Sequence, residues 1–106
     1  MTQYENNVLR LKDMVNYEIK SVVSRTIVEK NSGTVTLFAF AEGQGLSEHT
    51  APFDAMVYGL DGEAQVTISR KPFELKAGDF IVMPANQPHA LKALKNFKMM
   101  LVMIRS

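Results

Sequence analysis

Apolar residues recur along most of this chain in short runs separated by turn formers, the pattern of successive β-strands. Between residues 22 and 104 the apolar runs are short and rich in Val, Ile, Thr and Phe. They predict strands over 24–29, 34–41, 55–60, 64–69, 73–76, 80–83, 89–93 and 97–104. Turn formers stand between them: Asn31-Ser32-Gly33, Gly43-Gln44-Gly45, Asp61-Gly62, Lys71-Pro72, Ala77-Gly78-Asp79 and Pro84-Ala85-Asn86. Asp61-Gly62 is a hairpin signal. Many short strands at even spacing predict an all-β sandwich or barrel. Helical spacing shows only over 7–15, where Val8, Leu11 and Val15 recur. Residues 1–20 are therefore expected to form an arm or short helix, and 21–106 the barrel. An open sheet edge invites aggregation, so the arm and the apolar C-terminal run are expected to act as covers. The run 80–83 reads as a strand buried on both faces. Lys92, Lys95 and Lys98 read as edge lysines that block strand pairing.

The 106 residues point to one domain, and a domain this small buries only about two-thirds of its unfolded surface. Pairing with a second copy would add to that burial, so a homodimer is expected. Twelve basic and eleven acidic side chains leave a net charge of +1. No field of one sign arises, which argues against nucleic acid as a partner. With no cysteine, the chain has no disulfide, thiolate metal site or cysteine nucleophile. Its first residues are polar, with no leader-like apolar core, and no apolar run nears the roughly 18 residues of a membrane span. These features predict a cytoplasmic protein with no membrane partner. No P-loop, G-x-S-x-G or dinucleotide fingerprint occurs.

Two stretches carry more. Residues 43–62 read GQGLSEHTAPFDAMVYGLDG and residues 78–93 read GDFIVMPANQPHALKA. Together they resemble the two motifs of the cupin superfamily. Gly43, His49 and Gly62 match the first motif in place and spacing; Gly78, Pro84 and His89 match the second. The resemblance runs from about residue 22 onward. It implies a compact single-domain cupin, a double-stranded β-helix or jelly-roll barrel, around a pocket holding His49 and His89. Metal-binding cupins use two His and a Glu from the first motif and a His from the second. Carried over position by position, His49 and His89 fill the first and last places, while Ala51 and Ala55 replace the second His and the Glu. Asn86 replaces the second motif's Gly, and Ala93 its Asn. The resemblance thus implies a divalent transition metal (Zn, Ni, Fe or Mn) with half its protein ligands missing. A third would come from Asp54 or Gln87, although Asp54 equally suits a turn. Alternation puts His49 and Ala51 on one face, with Glu48 facing away.

The two histidines admit three readings. They are inert hydrogen-bonded residues; or a metal-free pair that binds a small molecule or moves a proton, for which a pKa near 6.5 is suited; or a reduced metal site. Met56, Met83 and Tyr58 are candidate ligand-binding neighbours. Met99, Met100 and Met103 join Met56 and Met83 as core filler or as a soft wall around an apolar ligand. Tyr58 shares a face with Met56 and Leu60, opposite Val57, and is a packing residue unless that face lines the pocket. The expected function is binding or transforming a small molecule at His49 and His89. The alternatives are a metal-dependent dioxygenase, isomerase or hydrolase, and a non-catalytic ligand-binding or regulatory module.

Overall fold

Alternation of buried and exposed side chains builds two antiparallel sheets that close over a shared interior. A computed structural model describes residues 4–105; residues 1–3 of the expected arm and Ser106 lie outside them. The strands are β1 (Val22–Lys30), β2 (Gly33–Phe40), β3 (Gly45–His49), β4 (Asp54–Asp61), β5 (Glu63–Ile68), β6 (Lys71–Lys76), β7 (Phe80–Met83), β8 (His89–Ala93) and β9 (Phe97–Ile104). One sheet runs β1-β2-β9-β4-β7 and the other β3-β8-β5-β6. Within β4, Ala55, Val57 and Gly59 are buried and alternate with half-buried Met56 and Tyr58. In β5, Ala64, Val66 and Ile68 do the same. Phe40, Val57, Val66, Phe97 and Met99 fill the interior. The Phe40 and Phe97 rings stack at 6.3 Å between centroids. Burying each such side chain contributes about 1.5–3 kcal/mol.

Eight of these strands lie where the short apolar runs predict them, and β3 is additional. Four of its five residues are exposed, so it carries no apolar rhythm to read. The C-terminal strand is not an edge cover. β9 lies in mid-sheet between β2 and β4, and Lys98 is accordingly buried rather than an edge lysine. β7, read as buried on both faces, is the edge strand next to β4. Phe80 and Val82 stand exposed on its outer side.

The predicted helix over 7–15 shrinks to one 3-10 turn, Leu11–Asp13. The arm lies on the outer face of the five-stranded sheet, where Val15 packs with Leu37 and Ala39. Two polar contacts pin it. The Lys98 ammonium donates to the Lys12 carbonyl at 2.6 Å and sits 5.0 Å from the Tyr17 ring centroid. The Tyr17 hydroxyl donates to the Asp61 carboxylate at 2.6 Å. Burial and then that carboxylate push the Tyr17 pKa well above the usual phenol range, so Tyr17 stays a donor. Among the described residues, no helix is long and apolar enough to cross a membrane.

Candidate functional site

The two histidines meet because of a bulge. In the β3–β8 ladder Gly45 faces Lys92 and Leu46 faces Leu91, but the next pair in register is His49 with His89. An unbroken ladder would set Glu48 opposite His89. One extra residue in β3 moves the carboxylate off that position and brings an imidazole onto it. It also puts Leu46 and His49, three apart in sequence, on the same cavity wall.

Two loop contacts hold the histidine-bearing segments together. The Asn86 N–H donates to the Ala51 carbonyl at 2.8 Å, and the Ala85 N–H donates to Asp54 Oδ1 at 2.9 Å. Asn86 has φ +66°. Asparagine is among the few non-glycine residues that enter this left-handed region readily, which explains how it replaces the motif's glycine.

The imidazole rings lie 4.4 Å apart between centroids and at 71° to each other, with their Nε2 atoms 3.1 Å apart. His49 Nδ1 lies 2.7 Å from the Ser47 carbonyl and His89 Nδ1 3.2 Å from the Gln87 carbonyl. A carbonyl oxygen only accepts, so each Nδ1 must carry the proton it donates. In the neutral rings both Nε2 atoms are then bare, and two lone pairs face each other. That arrangement is unfavourable unless an electrophile lies between them, either a shared proton or a metal ion. The donor set fits an ion. The separation is what two imidazoles span when they share a metal at ordinary distances of about 2.0–2.1 Å. Anchoring the far ring nitrogen to a carbonyl is the usual support of a metal-bound histidine.

Burial first, and the neighbouring His49 second, lower the His89 pKa below its ordinary value; the Gln87 carbonyl opposes them weakly. A pair this close takes one proton far more readily than two. The sign for stability follows. The folded His89 resists protonation and the unfolded one does not, so unfolded chains bind more protons as pH falls below about 6.5. Stability should fall over that range, and a His89→Gln chain should lose less of it. Urea midpoints for the two chains between about pH 7.5 and 5 measure the difference. Parallel profiles would mean that burial does not disfavour the imidazolium.

The cavity beside the pair is about 50 Å³ and almost wholly apolar. Leu46, Ala51, Val57, Leu91 and Leu101 line it, together with Met83, Met99 and Met103. Of the residues named from sequence, the structure brings His49, His89 and Met83 together here. It places Met56 and Tyr58 on the opposite face of β4. Tyr58 instead lines a surface groove with Arg10 and Leu11 of the arm. Asp54 is engaged with Ala85. The Gln87 amide oxygen accepts from Ser69 Oγ at 3.1 Å, so Gln87 serves His89 through its main chain. Among the described residues, no group of three or more His, Cys, Asp or Glu is placed to share an ion. Leu46 was invisible as a pocket residue because the bulge that turns it inward leaves no mark in the sequence.

The cupin domain family matches residues 36–105. Among solved structures, a conserved protein of unknown function from Streptococcus pyogenes is 39% identical, with a TM-score of 0.91 over 95% of this chain and 89% of that one. A cupin 2 conserved barrel domain protein from Leptotrichia buccalis is also 39% identical, with a TM-score of 0.89 over 92% of this chain. The match takes in 47% of that protein, so this chain spans about half its length. A cupin superfamily protein from Desulfitobacterium hafniense is 25% identical, with a TM-score of 0.91 over 96% of this chain and 94% of that one. No curated protein matches the chain.

Proposed function

This chain belongs to the cupin domain family, and from that premise we propose that it binds a small molecule at a cation held between His49 and His89. The observation that carries the reading is the 3.1 Å approach of the two Nε2 atoms, with each ring's far nitrogen set against a main-chain carbonyl. Two protein nitrogens leave coordination positions open to water or to a ligand. When bound, such an ion supplies Lewis-acid polarisation of a ligand oxygen. The chain's own residues do the rest. Leu46, Val57, Leu91 and Leu101 keep water from the inner side of the pair. His49 is exposed and stands at the open side, while His89 is buried behind it.

Size limits what enters. A cavity near 50 Å³ falls well below the roughly 300–1,000 Å³ of sites that engulf a drug-sized ligand. At about 10–15 Å³ per water-sized occupant, it takes only a few non-hydrogen atoms. The ligand therefore puts one small end against the histidines and leaves the remainder outside.

Calorimetric titration of metal-stripped protein with Zn(II) or Ni(II) tests the reading. One ion should bind per chain, with affinity falling as pH is lowered through the histidine range, because both Nε2 atoms must be unprotonated. No heat of binding with Zn(II), Ni(II) or, under anaerobic conditions, Cu(I), with the imidazole nitrogen resonances unmoved by each, would reject the cation.

A further inference from the structure

We propose that the cation this site prefers is soft and monovalent, Cu(I), with a methionine thioether as the third donor. The proposal rests on the reading of His49 and His89 as a cation site and specifies which cation that site selects.

Charge is the first ground. Among the described residues, the cavity wall carries no carboxylate, and its only polar side chains are two imidazoles. Glu48, next to His49 in sequence, is exposed and does not line the wall, and Asp54 gives an oxygen to the Ala85 N–H. Every donor facing the ion is therefore neutral. The cost of placing an ion in an apolar medium grows with the square of its charge. A divalent ion here meets about four times the penalty of a monovalent one of similar size, and no anion offsets it. The two-histidine sites of Fe(II) enzymes add a carboxylate, and this wall offers none among the described residues.

Softness is the second. Met83, Met99 and Met103 line the same cavity as the histidines. Met83 on β7 and Met103 on β9 both stand opposite Ala55 on β4, one on each side, and so form an inward row across three strands. Ala55 occupies the position where the family resemblance expects a metal-binding glutamate. Its methyl group leaves room there, and the flanking side chains that can enter it end in thioethers. Thioether and imidazole donors without carboxylate favour Cu(I) over the harder divalent ions.

Geometry is the third. Cu(I) held by two nitrogens alone tends to a linear arrangement, which at bond lengths of about 2.0 Å needs nitrogens about 4 Å apart. The observed 3.1 Å is too short for that, so a third donor is needed. Unbranched methionines on the wall of so small a cavity can bring a thioether toward the histidine pair by changing rotamer.

The test is an anaerobic competition of the intact protein for Cu(I) against the chelator bicinchoninate, with a parallel Zn(II) titration. A Met83→Leu/Met103→Leu chain keeps core volume and should keep the fold, which its melting curve checks. That chain is expected to lose at least about tenfold in Cu(I) affinity and to change less than about threefold for Zn(II). X-ray absorption of the parent loaded with Cu(I) should show a sulfur scatterer near about 2.3 Å beside nitrogen. Nitrogen scatterers alone, or equal Cu(I) affinity in the two chains, overturn the proposal. Zn(II) binding without Cu(I) binding overturns it while leaving the cation site standing. Binding of neither overturns both.

Discussion

Gly62→Ala is expected to cost about 2–5 kcal/mol, a large share of the roughly 5–15 kcal/mol that stabilises a domain. Gly62 is the single residue between β4 and β5, where the chain crosses from one sheet to the other. Two penalties coincide there. Its φ is +78°, and a side chain in that region costs about 1–2 kcal/mol. A Cβ would also collide with the main-chain carbonyl of Asn96. That carbonyl cannot rotate aside as a side chain would, because the 94–96 turn is tied to the same corner. The Leu94 and Lys95 N–H groups both donate to the Glu63 carbonyl, at 3.0 and 3.2 Å. Relieving the collision means parting the two corners where the sheets join, an overpacking cost of about 1–3 kcal/mol more. Gly43 and Gly78 serve as controls. Their φ values are +87° and +93°, but an added Cβ meets nothing within 4 Å. Alanine there should cost only the backbone part, about 1–2 kcal/mol. Urea unfolding of the three chains separates the terms. A loss at Gly62 no larger than at the other two would mean that the corners are not packed as described.

That corner was legible in the sequence, and its reason shows which kind of information a sequence carries. Asp61-Gly62 sits between two runs of clean alternation, so turn chemistry and strand rhythm agree. The same agreement makes β2, β4, β5 and β9 readable. What alternation cannot show is which strand lies beside which. The Lys98 misreading follows from this: a lysine in an apolar run is an edge guard if the run is an edge, and a buried donor if it lies in mid-sheet under an arm. The site divides in the same way. His49 and His89 were found through motif spacing, and Ala51 and Ala55 through the positions they fill. Met56 and Tyr58, expected among the ligand-binding residues, lie on the face of β4 opposite Ala55 and away from the cavity. The bulge was not legible. Nothing in Gly45-Leu46-Ser47-Glu48-His49 says that one residue is extra, yet that residue decides whether His89 faces a carboxylate or an imidazole.

His49→Ala and His89→Ala should each weaken cation binding at least about 100-fold. Supporting residues one shell out are commonly worth about 10–100-fold, and here each substitution removes one of only two protein nitrogens. The two chains should differ in everything else. His49 is exposed at the end of β3, an edge strand, so its truncation should leave the urea midpoint nearly unchanged. His89 is buried and pairs on both sides, with His49 on β3 and Ile68 on β5. Truncating it opens a void beside Leu91 and Met83 and should cost about 1–3 kcal/mol. His49→Ala is therefore the informative chain, because a loss of binding there cannot be laid to a loss of fold. A His49→Ala chain that still binds one ion with parental affinity would show that the two lone pairs do not converge on it. The 3.1 Å contact would then be a proton shared between two side chains, and the small molecule would have to be recognised by the apolar wall alone.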